Sequence, residues 1–177
     1  YIYAQYNCTM SPRITGNTVY GNGAAGLRLE AKGNNSNRPS FYPAIIDNTI
    51  YQNNNGIYVI RSNGYNTLIP TISSNTVINN NWIGMSINAS SSGKILRNII
   101  TDNSGDGIEM TSGGEAVILE NDIQNNGGLG IDLSSTGTAR VYHNNIAGNN
   151  GSFEIRDNVS SGVDARYNWW GAMVLGE

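Results

Sequence analysis

Three acids recur at a regular place in this 177-residue chain and are the residues best suited to chemistry. Glu109 and Asp132 each stand between two apolar residues shortly after a glycine, and Glu154 continues the series with a slip of one residue. If these segments lie side by side as strands, neighbouring carboxyl groups are ~5 Å apart and alternate ones ~9.5 Å, which covers both glycosidase geometries. Like charges this close repel, so the column serves a reaction, binds a hard cation such as Ca²⁺, or spreads into solvent as the default.

A second candidate site is a set of aromatic and basic residues towards the N-terminal end. Two repeat units are longer than the others because they carry insertions, at residues 30–44 and 60–70. Insertions in repeat proteins collect on one face and often form the binding surface, so these residues could offer stacking platforms to a sugar. The alternative is that the insertions cover the side of the molecule or contact another subunit. The candidate glycan-binding residues are Tyr20, Tyr51, Tyr42, Tyr65, Arg38 and Arg61.

The elements that position these residues follow from a repeat of asparagines. Seven of them recur at intervals of 31, 27, 23, 23, 23 and 24 residues, and a second asparagine follows each of the first six after five residues. A repeat of about 20 to 50 residues is one coil of a solenoid, which buries its apolar face only against its neighbours. The predicted ladder asparagines are Asn17, Asn48, Asn75, Asn98, Asn121, Asn144 and Asn168, and the second set is Asn22, Asn53, Asn80, Asn103, Asn126 and Asn149.

Alignment of the coils on the first asparagine gives columns of apolar residues. In one coil Ile95 lies three residues before Asn98 and Ile100 two residues after it, and an apolar-x-apolar triplet at 108–110 follows a glycine. This pattern predicts three short parallel strands per coil, joined by Asn, Gly and Ser turns. We expect the asparagine to adopt the left-handed conformation that the bend requires, and its side-chain amide to bond to the next coil in a ladder.

The residues immediately before the asparagines form a column that is predicted to face outward. Arg97 and Glu120 stand one coil apart, which predicts an exposed ion pair that contributes little to stability. His143 has no second histidine or cysteine partner in the column, so we interpret it as a stacking and hydrogen-bonding residue rather than a metal ligand. Trp170 falls in the inward column and is expected to plug the last coil, with Trp169 shielding the turn.

Composition agrees with a β solenoid and excludes several classes of function. The chain has 28 asparagines and 22 glycines, only 13% charged residues, and few of the residues that build helices. A net charge of −3 and a pI near 5.1 leave no basic stripe, so nucleic acid is not an expected partner. No apolar run approaches the ~18 to 20 residues that span a bilayer, so we expect no membrane insertion by this segment. The single cysteine, Cys8, cannot form an internal disulfide.

The pattern I-x-x-N-x-I-x-x-N-x-x-x-G-I-x-L, read here from Ile95 to Met110, resembles the right-handed parallel β-helix repeat of the pectate-lyase-like superfamily. The segment Ala165 to Gly171 is similar to the A-x-x-N-W-W-G ending of secreted and cell-surface proteins built from such repeats. The resemblance covers about residues 12 to 171 and implies an all-β, right-handed parallel β-helix of about seven coils with an Asn ladder.

The resemblance also implies that, in an enzyme, Glu109, Asp132 and Glu154 would be the catalytic acids, because the superfamily's hydrolases carry their acids on the corresponding strand. The superfamily contains hydrolases, lyases, tailspikes and adhesins alike, so the fold does not determine the function.

Together these observations predict one β-helix domain, residues 1–177, that is a piece of a longer protein. We expect a structural or adhesive rod of an extracellular or cell-surface protein, with no required cofactor. Residues 1–4 and 172–175 read as uncapped strands, which favours self-association into a filament or layer, or continuation into flanking domains of the same polypeptide. Glycans are a further candidate partner. The alternative is a polysaccharide hydrolase, a lyase or a carbohydrate-binding module, although the acid-bearing coils from Asn98 to Asn144 are the shortest and lack loops.

Overall fold

The computed structural model describes residues 1–34, 36–62, 65–88, 93–112, 115–134, 138–158 and 162–171. These residues form 23 short β-strands, numbered here in chain order, and no α-helix. Three long sheets run along a rod, and we name them by their place in the repeat.

The post-glycine sheet contains β1 (Ile2–Gln5), β5 (Ala25–Lys32), β9 (Asn55–Arg61), β13 (Met85–Asn88), β16 (Ile108–Ser112), β19 (Ile131–Leu133) and β22 (Ile155–Asp157). The pre-asparagine sheet contains β3 (Arg13–Thr15), β7 (Ala44–Ile46), β11 (Thr71–Ser73), β14 (Gly93–Leu96), β17 (Ala116–Leu119), β20 (Ala139–Tyr142) and β23 (Val163–Asp164). The post-asparagine sheet contains β4 (Thr18–Tyr20), β8 (Thr49–Tyr51), β12 (Thr76–Ile78), β15 (Ile99–Thr101), β18 (Asp122–Gln124) and β21 (Asn145–Ala147).

Every strand of these sheets pairs in parallel with the equivalent strand of the next coil. In the central coils Ile72 pairs with Ile95, Ile100 with Ile123, and Ile108 with Ile131, so equivalent residues stack directly above one another. Crossover connections between parallel strands are right-handed for steric reasons. The protein is therefore a right-handed parallel β-helix of six to seven coils, which confirms the predicted fold.

The core is one continuous cluster formed by the inward columns of all three sheets. Its largest fully buried members include Ile45, Ile50, Ile57 and Met85. The coils stack so tightly that the position just before each of the strands β13, β16 and β19 must be glycine. A Cβ at Gly107 would lie 2.7 Å from both the carbonyl of Gly130 and the Cγ2 of Ile123, so only glycine fits where the second bend closes over the core.

Two asparagine ladders, one at each bend, connect the coils. The Nδ2 of Asn98 donates to the Oδ1 of Asn121 at 2.9 Å and to the carbonyl oxygens of Ile72 and Leu96, and the same Oδ1 accepts the backbone N–H of Asn98. The pattern repeats from Asn17 to Asn168 and confirms the predicted ladder. The second asparagines form an equivalent ladder. In the central coils the ladder residues are at most 2% exposed, so these bonds replace water for buried polar groups.

The left-handed backbone conformation is not at the ladder asparagines, and our prediction on this point was wrong. It is adopted by the residue immediately before each of them. At the first bend these residues are Gly16, Asp47, Ser74, Arg97, Glu120, His143 and Tyr167, and at the second bend Gly21, Gln52, Asn79, Asp102, Asn125 and Gly148. The ladder asparagine follows the turn and uses its side chain to bond the next coil, so the two roles fall to two successive residues.

One strand from each insertion and a short strand of the first coil form a fourth, small sheet on one side of the rod. It contains β2 (Thr9–Met10), β6 (Ser40–Phe41) and β10 (Thr67–Leu68). Phe41 and Leu68 are fully buried in the common core. The insertions therefore cover part of the rod's side. Residues 1–4 lie in or beside β1, whereas the candidate strand at 172–175 is outside the described residues.

Candidate functional site

The acid column on the outer face of the post-glycine sheet differs from the prediction at its last position. Glu109 pairs with Asp132 as expected, but Asp132 pairs with Arg156 rather than with Glu154. The slip arises because Asn144 and Asn168 are 24 residues apart instead of 23, and the additional residue lies in the turn before β22. The spacing of the asparagines was the signal that could have identified Arg156.

The two remaining carboxylates are engaged by neighbouring side chains. Asp132 is 2% exposed, accepts a hydrogen bond from Arg156 Nε at 2.9 Å and from Ser134 Oγ at 2.8 Å, and forms an ion pair with Arg156 Nη2. Burial alone would raise the pKa of Asp132, but the hydrogen bonds from Arg156 and Ser134 outweigh it and lower the pKa. Glu109 Oε2 accepts the hydroxyl of Ser86 at 2.8 Å. Arg156 thus neutralises Asp132, and Glu109 keeps its charge while it accepts the Ser86 hydroxyl.

Glu154 occupies a different place, at the end of the second ladder. Its Oε2 accepts a hydrogen bond from the Nδ2 of Asn149 at 2.7 Å. In the preceding coils the equivalent Nδ2 group donates to the Oδ1 of the next ladder asparagine. Asn126, for example, donates to Asn149 at 2.8 Å. Glu154 therefore takes the place of the next ladder residue.

At the N-terminal end the same face carries an aromatic and cationic column that was not among the predicted site residues. The Arg28 guanidinium carbon lies 5.4 Å from the ring centroid of Tyr1 and 5.2 Å from that of Tyr58. Glu30 is 7% exposed, accepts the hydroxyl of Tyr1, and pairs with Arg28 at 3.3 Å and with Lys32 at 4.0 Å. Period-two alternation on β5 places Arg28, Glu30 and Lys32 on one face, and this was the available signal.

The candidate glycan-binding residues are spread over separate faces. Tyr20 and Tyr51 stack in the post-asparagine sheet, with ring centroids 5.1 Å apart and planes 8° apart. Because the rings face each other along the rod, the face that each turns to the other is not available to a sugar. Arg38 lies over the ring of Tyr65 at 4.8 Å, beside the insertions. Tyr42 follows β6, and Arg61 ends β9.

The outward column before the asparagines has the contacts that we predicted. Arg97 Nε donates to Glu120 Oε2 at 2.7 Å, and the His143 ring stacks on Tyr167 with centroids 5.4 Å apart. Trp169 forms a parallel bridge with Asn145, which places Trp170 in the inward register beside Ile146. Trp170 is nevertheless 45% exposed and only partly closes the last described coil.

A half-buried acid, Asp106, lies at the second bend in the turn before β16. Its Oδ1 accepts the backbone N–H of Leu129 in the next coil at 2.7 Å. Burial raises the pKa of Asp106, and this hydrogen bond offsets only part of the effect. Asn55 occupies the equivalent turn of an earlier coil, where its Oδ1 accepts the N–H of Ile83 at 3.3 Å.

Comparison with known families identifies the chain. The profile of one family, described as NosD, periplasmic copper-binding protein, matches residues 2–172. The chain belongs to the NosD family. No curated protein matches it, and no solved structure does. NosD is a periplasmic family, in agreement with the expected place outside the cytoplasm, and none of the described segments is a helix long and apolar enough to cross a membrane.

The family's description names copper, so the side chains of this NosD chain that could bind the metal show whether the chain fits a copper site. Copper sites in proteins use histidine, cysteine and methionine, and the chain has one histidine, one cysteine and four methionines. His143 stacks on Tyr167 in a late coil, Cys8 lies in the first, and Met85 and Met110 are in the core. The described ranges contain no group of three or more His, Cys, Asp or Glu side chains that could hold a metal ion. The described residues therefore do not fit a copper site, and the Ca²⁺ site at Glu109, Asp132 and Glu154 stays a prediction without a gathered set of ligands.

Proposed function

We propose that this NosD-family chain is a rigid structural rod of an extracytoplasmic protein. The rod holds whatever is attached to its two ends at a fixed distance from each other. One observation supports the proposal above all others: both asparagine ladders continue from coil to coil without a break. The first connects Asn17 to Asn168 and the second connects Asn22 to Asn149, with a side-chain bond between each pair of neighbours. A hinge would need a coil boundary without such bonds.

The shape of the core also supports a rod. Equivalent Ile and Val residues stack in register in all three sheets, so each coil buries its apolar face against the coils above and below. Bending the rod would separate these columns on one side and expose them to water. The energy of the stack therefore resists both bending and the opening of a single coil.

Hydrogen exchange along the purified chain tests this proposal. A rigid rod predicts that backbone amides at both bends of the central coils exchange only through global unfolding, with similar protection from coil to coil. Fast exchange confined to one central coil boundary would show a hinge and overturn the proposal.

An enzyme acting on polysaccharide is the second candidate, and it depends on Glu109 and Asp132 standing opposite each other on β16 and β19. In this arrangement Asp132 is held by Arg156, and Glu109 accepts a bond from Ser86. Assays for reducing ends and for unsaturated products, on neutral and uronate polysaccharides, test it. If the wild type cleaves one of these polysaccharides and the Glu109→Gln variant does not, an enzymatic function replaces the rod proposal.

Self-association and a cell-surface location are part of the same proposal. Light scattering of the purified chain over a range of concentrations tests self-association. A monomer at all concentrations would remove filament formation from the proposal and would leave the rod unaffected.

A further inference from the structure

A cleft of about 300 Å³ lies at the second bend of the last described coils, beside β22. Asp106, Leu129 and Phe153 stand at equivalent positions of three successive coils, and all three line the cleft. Phe153 is 64% exposed and lies in the turn that carries the additional residue before β22. Sites for small molecules in proteins measure ~300 to 1,000 Å³, so the cleft is large enough for one small ligand group.

Two glycines leave the floor of this cleft as bare backbone. A Cβ at Gly128 would lie 2.2 Å from the Oδ1 of Asp106, and a Cβ at Gly151 would lie 2.6 Å from the Cδ2 of Leu129. Neither position therefore accepts a side chain without a shift of its neighbours. As a result, no side chain from the floor stands between a ligand and the ring of Phe153.

The two charged groups of the cleft each keep bonding capacity for a ligand. Asp106 accepts the backbone N–H of Leu129 through Oδ1, and the described residues supply no donor to its Oδ2. Arg156 donates to Asp132 through Nε and Nη2, and its Nη1 bonds none of the described residues. Asp106 and Arg156 line the same cleft, yet no ion pair joins them in the described part of the chain. The cleft therefore offers a separate acceptor and a separate donor.

The balance of charge in the cleft favours a cationic group at Asp106. The positive charge of Arg156 is neutralised by the buried Asp132, whereas Asp106 forms no ion pair within the described ranges. Burial raises the pKa of Asp106, so the fold stabilises this carboxylate less well than water does. An ammonium group beside Oδ2 would offset that loss, while an anion would be repelled by the same carboxylate.

We propose that this cleft binds the amino end of an amino acid or of a peptide whose first side chain is apolar. The ammonium group donates to the Oδ2 of Asp106, and the adjacent carbonyl oxygen accepts a hydrogen bond from the Nη1 of Arg156. The apolar side chain packs on Leu129 and on the ring of Phe153, whose face also attracts the ammonium group. A single ligand group thus satisfies the acceptor, the donor and the apolar wall of the cleft.

Calorimetric titration of the whole chain with three related compounds tests this assignment. The probes are L-phenylalanine, L-phenylalaninamide and N-acetyl-L-phenylalanine. We expect the first two to bind, and the N-acetyl compound, which lacks the ammonium group, to bind at least about tenfold more weakly. The amide represents the amino end of a peptide. Tighter binding of the amide would assign the site to peptides, and tighter binding of phenylalanine would assign it to free amino acids.

Two matched variants test the role of the carboxylate. Asp106→Asn keeps the hydrogen-bond acceptor that the fold uses and removes the charge, so it should weaken the binding of L-phenylalanine about tenfold. Asp102→Asn is the control, because Asp102 is an exposed acid that does not line the cleft. Its equivalents in the adjacent coils are already asparagines, Asn79 and Asn125. This variant should leave the affinity unchanged.

Replacement of the aromatic ring tests the apolar wall. Phe153→Ala should weaken the binding of L-phenylalanine about fivefold and should keep the preference over the N-acetyl compound. The proposal is overturned if neither amine binds, if the N-acetyl compound binds as tightly as L-phenylalanine, or if Asp102→Asn weakens binding as much as Asp106→Asn. The rod proposal does not depend on the outcome, since hydrogen exchange of the unliganded chain decides it separately.

Discussion

The residues with positive φ before the ladder asparagines determine how sharply each coil bends. Ten of these residues are not glycine, and their φ values lie between 52° and 62°. None of these residues is β-branched, which agrees with the high cost of a branched Cβ in the left-handed region. Their side chains point away from the core, so Arg97, Glu120 and His143 can vary in chemistry while the backbone stays the same.

Replacement of Ser74 by valine tests this role. Ser74 has φ of 56° and is exposed, so Ser74→Val should destabilise the fold by ~1 to 2 kcal/mol through backbone strain alone. Ser73→Val is the matched control, because Ser73 lies in β11, where valine is favoured. Urea unfolding measures both free energies. Equal values for the two variants would contradict the assignment of strain to the bend.

Asp106 predicts a dependence of stability on pH. Because burial raises its pKa in the folded state, the folded protein binds this proton more tightly than the unfolded chain does. This contribution to stability is fully present below the unfolded pKa, ~3.9, and is lost as the pH rises through the folded pKa. Asp106→Asn keeps the acceptor for Leu129 N–H without the charge, so it should be more stable than the wild type at pH 7 and equal to it near pH 3. Unfolding at both pH values checks this, and a less stable variant at pH 7 would refute it.

The ladders are directional elements, with each asparagine donating towards the C-terminal end and accepting from the N-terminal side. The first ladder continues to Asn168, whereas the second ends at Asn149 with a bond to Glu154. A carboxylate thus completes the second ladder where the repeat loses its next asparagine. This arrangement gives Glu154 a structural role in the bend before β22.

Variants of Glu154 distinguish this role from an exposed acid. Glu154→Leu removes the acceptor for Asn149 and should cost ~0.5 to 1.5 kcal/mol of stability. Glu154→Gln keeps a carbonyl oxygen at the same position and should stay within a few tenths of a kcal/mol of the wild type. Thermal and urea unfolding measure both variants. If leucine and glutamine have the same effect, the carboxylate does not complete the ladder.

The sheets were predictable from the sequence because their signals are periodic. Ile95, Asn98 and Ile100 recur with their equivalents in coil after coil, and each column becomes one line of the core or one ladder. The candidate site was less predictable, since its contacts depend on departures from the period. One added residue before β22 places Arg156 instead of Glu154 opposite Asp132.

The whole molecule is a stack whose stability depends on neighbours rather than on any single coil. Each coil contributes three short strands that could not remain folded alone, and the coils above and below complete their hydrogen bonds. Both the rigidity and the proposed function follow from this arrangement. A change that breaks one ladder position should therefore affect both adjacent coils.

Two successive asparagines in the same coil allow the most direct test. Asn80 is 1% exposed and bonds Asn53 and Asn103 in the second ladder, whereas Asn81 beside it is exposed. Asn80→Leu leaves the N–H groups of Asn53 and the carbonyl of Ile50 without their partner, and should lower the free energy of unfolding by ~1 to 3 kcal/mol. Asn81→Leu should change it by less than ~0.5 kcal/mol. The account predicts this difference in urea unfolding, and equal free energies for the two variants would contradict it.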